Sequence, residues 1–270
     1  MLHTPIPSSW CEIDLGRISR NLDLTLELLP KRAAFCAVMK ADAYGHGIDR
    51  VVPLLLEQGV SCIGITSNAE ARSVRNCGFS GTLIRLRAAS PQEIEAALPD
   101  RVEEQVGSLG AARHLCGLRQ RGQEPSGLHL ALNAGGMSRD GLDISTSAGQ
   151  QECRRILDEA GENIIAISTH FPSNDPAPLK QSSQRFKQQV EWVFDNSDLN
   201  RSDILVHAGS TLTLLSGVGI ESDMYRCGAV LYGFLRPDLG FRPTMELKAQ
   251  VVHLGAYPKG ATVGYDCDYR

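Results

Sequence analysis

Eight short apolar, β-prone runs recur along the chain, most of them followed by a segment of helical character, and this alternation constrains the fold more than any other feature. The runs are 33–39, 61–66, 82–87, 103–108, 127–133, 164–170, 204–210 and 225–232, with helical segments at 48–57, 68–77, 91–98, 109–121, 149–159 and 183–197. The link across 211–224 is less clearly helical. Eight strands joined by crossovers of roughly barrel-repeat length predict an α/β fold of the (β/α)8 type. A doubly wound open sheet is the alternative, but no GxGxxG follows the first strand. Ahead of the barrel, SSWCEIDL (8–15) reads as a short strand, and 16–29 carries Ile18, Leu22, Leu26 and Leu29 at helical steps. Beyond the eighth strand, 234–244 contains Pro237, Gly240 and Pro243 and reads as a linker. Two strands, 245–254 and 261–269, then flank a hairpin turn at 257–260. The expected division is an N-terminal strand (1–15) pairing with a β domain, a barrel (16–237), and a linker with the start of a second, all-β domain (238–270), inside which the chain stops.

At 270 residues, 42% hydrophobic and 21% charged, the chain can bury a full core. A net charge of -4 gives no electrostatic case for nucleic acid or an anionic membrane as partner. No apolar run approaches the roughly 18 residues that would span a bilayer. The start, MLHTPIPSSW, has neither a basic n-region nor an apolar h-region, which points to the cytoplasm. The eight cysteines are scattered, with no CxxC pair and no zinc spacing, so no metal site is expected. Their default role is that of small buried hydrophobes in a reducing compartment. One pair departs from it, because Cys36 and Cys62 lie in consecutive predicted strands.

In barrels of this type the reacting groups gather at the carboxyl ends of the strands. Those ends carry Lys40, Arg87, Asn133 with the following turn to Arg139, His170, Ser210, and Arg226-Cys-Gly228. Lys40 sits in Ala37-Val-Met-Lys-Ala-Asp-Ala-Tyr-Gly-His-Gly47, where Gly45 and Gly47 supply a tight bend. A desolvated lysine at a strand end can lose its proton near neutral pH and attack a carbonyl, which is Schiff-base chemistry. Tyr44, Ser210 and the backbone around Gly228 and Ala229 are suited to hold a phosphate, glycine allowing close approach. Arg139 can hold a carboxylate in its fork. Taken singly, each has a plainer reading: a surface lysine, a turn serine, a satisfied core histidine at His170, solvated arginines.

The string AVMKADAYGHG changes that balance, because it resembles the pyridoxal-phosphate lysine motif of the alanine racemase family. SSWCEIDL, Thr169-His170 and the block Asp223-Met-Tyr-Arg-Cys-Gly-Ala-Val-Leu-Tyr-Gly233 resemble further landmarks of that family. The resemblance implies pyridoxal 5'-phosphate as cofactor and Lys40 as the Schiff-base lysine. It also implies phosphate contacts from Tyr44, Ser210, Gly228 and Ala229, Arg226 at the pyridine nitrogen, and His170 against the ring. Tyr265 falls at the family's second catalytic base, which works in the partner subunit's site, so a homodimer is implied. The activity implied is interconversion of L- and D-amino acids by two bases, Lys40 and Tyr265. The small-molecule substrate would be alanine, a basic amino acid, or both.

Two departures matter. Many alanine racemases carry a carbamylated lysine shortly before the arginine equivalent to Arg139, whereas this chain reads Leu132-Asn-Ala-Gly-Gly-Met-Ser-Arg139. With Arg85-Leu-Arg87 and Pro172, this looks like the broad-specificity branch, whose members are often periplasmic and in which Cys36 and Cys62 match positions that can pair. Family members also continue for roughly another domain. The rival readings are a non-catalytic pyridoxal-phosphate-binding barrel and an inactive racemase fragment. Borohydride reduction of cofactor-loaded protein is expected to leave a pyridoxyl label on the Lys40 peptide; a label on Lys31 or Lys180 instead overturns the lysine assignment.

Overall fold

The computed structural model describes residues 7–123, 125–135 and 140–269. After a first strand β1 (Ser9–Ile13) and helix α1 (Leu15–Leu28), the chain lays down β2 (Ala34–Val38), β3 (Cys62–Ile65), β4 (Thr82–Arg85) and β5 (Glu104–Val106). It continues with β6 (Leu128–Ala131), β7 (Ile164–Ser168), β8 (Leu205–His207), β9 (Gly209–Ser210) and β10 (Met224–Cys227). Parallel ladders join β2 to β3, β3 to β4, β5 to β6, β6 to β7 and β7 to β8. An Ile84–Glu103 bridge joins β4 to β5. Parallel pairing of β10 with both β9 and β2 closes the ring. β8 and β9 occupy one barrel position, interrupted at Ala208, where Ser222 Oγ accepts from the Ala208 and Gly209 amides at 3.0 Å each in place of a ladder. The described residues therefore form a closed (β/α)8 barrel.

After the short segment α2 (Lys40–Gly45), the outer helices are α3 (Ile48–Glu57), α4 (Asn68–Asn76), α5 (Pro91–Ala97), α6 (Leu109–Gln120), α7 (Ser147–Ala160) and α8 (Pro176–Asp195), with a single short turn, α9 (Thr211–Leu215), in the last crossover. Their starts are chemically marked. Ser67 and Ser90 form reciprocal capping boxes with Glu70 and Glu93, and Asp14, Ser108 and Thr146 cap α1, α6 and α7. Alternation along each strand sends one set of side chains outward into two large apolar clusters beneath the helices. The other set fills the lumen, where Cys36, Cys62, Ile84 and Met224 pack together. Both thiols are free in this structure, and Cys62 Sγ hydrogen bonds Met224 Sδ at 3.9 Å.

Several expectations shift. Helix α1 buries Ile18 and Leu22 but pairs them with Asn21 and Thr25, leaving Leu26 39% exposed. The reason is that Asn21 binds the chain after the barrel, donating to Leu231 O (3.1 Å) and Arg242 O (2.9 Å) and accepting from Arg242 N (3.0 Å). Helix α8 starts at Pro176 rather than 183, since prolines fit a first helical turn whose amides have no partner to lose. The last barrel strand ends at Cys227 rather than 232. Gly228 starts a turn there that drives Val230, Leu231 and Tyr232 fully into the core.

The expected terminal hairpin does not form. Strand β11 (Met245–Ala249) pairs antiparallel with β1, from Ser9 opposite Ala249 to Ile13 opposite Met245. Residues 261–269 hold only a Val263–Tyr269 bridge and a 3₁₀ turn (Tyr265–Cys267) with Asp266 at φ 56°. β1 offers β11 a complete partner edge, supported by ion pairs of Lys248 with Glu12 and of Arg17 with Glu246, which the glycine- and proline-broken 257–264 stretch cannot match. Among the described residues no helix is long and apolar enough to cross a membrane.

One buried ion pair stiffens the outer face between β4, β5 and α4. Arg85 (0% exposed) grips Glu104 (1%) through Nε–Oε2 at 2.8 Å and Nη2–Oε1 at 3.0 Å. Nη2 also donates to Asn68 Oδ1 at 2.7 Å, while Nη1 has no partner. Burial pushes the Glu104 carboxyl above its ordinary value, against the pull of Arg85. Arg85→Ala is expected to cost about 3–5 kcal/mol in denaturant unfolding because it strands the carboxylate, and the double change Arg85→Met with Glu104→Leu to recover most of it. A single-mutant cost below about 1 kcal/mol would contradict this account.

Candidate active site

Just past β2, the backbone turns left-handed at Ala41 and stays so through Asp42, Ala43 and Tyr44, with φ between 52° and 55°. Non-glycine residues avoid this region at roughly 1–2 kcal/mol each, so the run costs roughly 4–8 kcal/mol and must be held. Ala43 N donates to Met39 O (2.9 Å), Gly47 N to Asp42 O (3.1 Å) and Ile48 N to Asp42 Oδ1 (2.8 Å). Ala41 N donates to Glu70 Oε1 at 2.8 Å. Glu70 also accepts from the Thr66 and Ser67 amides at 2.7 and 3.1 Å, so one carboxylate ties the lysine turn to the start of α4. His46, buried and pushed below its ordinary pKa by desolvation, points Nδ1 at Ala43 O (3.0 Å) and Tyr44 O (3.2 Å). Its Nε2 meets Thr244 Oγ1 at 2.8 Å.

The sequence expectation had the bend beginning at Gly45 and Gly47, which do have positive φ. It begins four residues earlier, in residue types that give no such signal. The consequence is that Tyr44 returns beneath Lys40, whose Nζ lies 5.5 Å from the Tyr44 ring centroid. Tyr44 packs on Tyr232 (4.9 Å between ring centroids) and faces Gly228, where an added Cβ would sit 2.7 Å from its hydroxyl. Only glycine allows that approach.

These groups line a cavity of about 360 Å³ at the carboxyl ends of the strands. Lys40, Tyr44, His170, Ser210, Arg226, Gly228 and Ala229 all face it, together with Arg87 and Asp140. Ser210 caps α9 and hydrogen bonds Thr213 Oγ1 at 2.9 Å, and Gly228 N donates to Thr211 Oγ1 at 3.1 Å. Arg226, 8% exposed, donates to Thr169 O (2.8 Å), to His207 O (3.2 Å) and to His207 Nδ1. Burial, then the neighbouring Arg226 and His129, hold His207 well below its usual pKa, so it is uncharged. Tyr265 lies elsewhere: it is 98% exposed and outside this chain's cavity. Arg139 lies outside the described residues.

Sequence reasoning did not single out Glu70, His46, Glu103, His129 or His207. Glu70 was legible as the last residue of Ser67-x-x-Glu70, a capping-box signature. The others give no local signal, because their partners are distant in the chain.

The arrangement defines a class: parallel barrels that carry a lysine on a strained turn at a strand end, facing an arginine across a ligand-sized cavity. Within that class, the chain belongs to the alanine racemase family, whose N-terminal domain model matches residues 13–236. It is 39% identical over 262 residues to a broad specificity amino-acid racemase of Vibrio parahaemolyticus, covering 97% of this chain and 64% of that protein. It is 35% identical to a lysine racemase of Proteus mirabilis, covering 98% of this chain and 65% of that one. The chain thus spans a little under two thirds of the length of these curated relatives. The solved alanine racemase of Streptomyces lavendulae superposes with a TM-score of 0.86 at 21% identity, covering 98% of this chain and 71% of that one, a likeness of fold.

At the rim, Arg87 holds Glu93 in a side-chain ion pair and donates to Thr66 O at 2.7 Å. The Arg87 guanidinium, then the Ser90 amide, lower Glu93 from 4.5 to about 2. A depressed carboxylate contributes stability above its unfolded pKa and loses it as pH falls through the folded one. Stability of the native protein should therefore fall more steeply between pH 4.5 and about 2 than that of Glu93→Gln. Parallel Tm–pH profiles for the two proteins would refute the clamp.

Proposed function

We propose that this chain binds pyridoxal phosphate in the barrel-mouth cavity and serves a racemase of amino acids. The observation that carries the reading is the left-handed turn that places Lys40 and Tyr44 on the same cavity as Arg226, Ser210 and Gly228. The residues fit the cofactor. The volume suits a small ligand, and the Gly228 backbone lies against Tyr44 where any side chain would block the approach. Tyr44, Ser210, Gly228 and Ala229 would hold the phosphate, Arg226 would face the pyridine nitrogen, and His170 would flank the ring. When bound, the cofactor would supply an electron sink that acidifies the Cα proton of an amino-acid substrate.

The protein's own residues then do four things. Lys40 anchors the cofactor and moves a proton at Cα on one face. Arg226 is permanently protonated and only donates, so it keeps the ring nitrogen unprotonated and favours return of the proton to Cα over transamination. Arg139 holds the substrate carboxylate. Tyr265 moves the proton on the opposite face from a partner copy, which its exposure and its absence from the lining of this chain's own cavity support. The names of the relatives, a lysine racemase and an alanine racemase among them, support alanine and basic amino acids as substrates. Cys36 and Cys62, packed in one cluster on adjacent strands, would bridge if the protein works in an oxidising compartment such as the periplasm.

General acid–base groups contribute about 10²–10⁴-fold, so Tyr265→Phe is expected to slow racemisation by that factor while cofactor absorbance is retained. Mixing Tyr265→Phe with Lys40→Ala protein should restore activity, since a mixed pair holds one intact site. No recovery in mixed dimers would sink the shared-site reading.

A further inference from the structure

The lumen opposite the cysteine cluster is polar, and its groups form a line. Glu103 precedes β5, His129 lies on β6, His207 on β8 and Arg226 on β10. Glu103 Oε2 lies 2.9 Å from His129 Nε2, and His129 Nδ1 lies 2.8 Å from His207 Nε2. His207 Nδ1 meets Arg226 Nη1. The two imidazoles are 1% and 0% exposed, and the Glu103 side chain is 15% exposed.

We propose that Glu103, His129 and His207 are positioning residues, a one-directional hydrogen-bond chain that fixes the Arg226 guanidinium at the cavity and anchors it on a carboxylate deep in the barrel. This deepens the racemase reading and rests on it for the role of Arg226. The direction follows from what each end can do. A guanidinium only donates, so His207 Nδ1 must present its lone pair and carry its proton on Nε2. That proton points at His129 Nδ1, which must also be bare, leaving the His129 proton on Nε2. This last proton meets Glu103, which accepts when ionised. Reversing any ring sets two donors or two acceptors against each other at under 3 Å in a nearly dry lumen. An unmatched buried polar contact of that kind is costly.

The chain therefore transmits a constraint that no single pair could impose. Both guanidinium Nη atoms are engaged with the barrel, Nη1 through His207 and Nη2 through Thr169 O at 2.8 Å. Arg226 is then held as a fixed group in the cavity wall rather than as a long flexible cation. Charge removed at Glu103 is felt at the cavity through two imidazoles.

Nitrogen-15 spectra of the cofactor-free protein test the geometry directly, with His129→Gln used for assignment. Both rings are expected as Nε2–H tautomers at neutral pH; an Nδ1–H form of either ring overturns the chain. Titration with pyridoxal phosphate tests the consequence. Glu103→Gln should weaken cofactor binding roughly tenfold, the scale at which outer hydrogen-bond partners act at metal sites, and shift the bound absorbance band, with Glu103→Asp recovering most of both. A Glu103→Gln protein of wild-type Tm with unchanged absorbance and affinity would overturn the positioning role. Correct tautomers in a protein that binds no pyridoxal phosphate would uphold the chain and remove the reading of the site.

Discussion

Four consecutive L-residues held left-handed after Lys40 are the constraint on which the mouth of the barrel depends. A right-handed continuation would carry Tyr44 along a helix and away from the cavity. The left-handed one folds it back beneath the lysine and against Gly228. The conformation is intrinsically unfavourable, and its supports come from several parts of the chain. Glu70 takes the Ala41 amide, Asp42 takes the Ile48 amide with its own side chain, and His46 answers the carbonyls of Ala43 and Tyr44. Strain of this kind persists only where its surroundings over-determine it, and such places are commonly functional.

The barrel interior is divided to suit. One side is apolar, with Cys36, Cys62, Ile84 and Met224 in contact. The other is a polar line from Glu103 to Arg226. Buried polar groups are tolerable there because each has a partner of matching polarity, which also makes their orientation unique. Outside the lumen, Arg85 and Glu104 form a second buried pair between strand and helix layers, with Arg85 Nη1 left without a partner.

The segment beyond the barrel is attached rather than appended. Asn21 binds its backbone near Arg242, and Thr244 touches His46 beneath the lysine turn. β11 then pairs with β1. Whatever positions the following residues is therefore joined mechanically to the turn that carries Lys40. From 250 to 269, only Ala261 is even partly buried, so these residues are held by little that this chain supplies.

Periodicity and strand-end chemistry in the sequence were enough for the alternating barrel, for the helices that begin at Asn68 and Pro91, and for the convergence of Lys40, Tyr44, His170, Ser210, Arg226 and Gly228 on one cavity. These rest on local rules: apolar spacing and the tendency of barrel chemistry to gather where strands end. Other features were decided only in three dimensions. Ala41 to Tyr44 have no local preference for positive φ, and Glu103, His129 and His207 carry no marker of their partnership, being separated by up to 78 residues in a single contact. The partner of β11 was likewise open, because a short strand pairs with whichever edge is offered, and only the folded barrel brings β1 alongside. Local propensity acts over a few residues, whereas these choices depend on hydrogen bonds and charges that meet only after the ring of strands has closed.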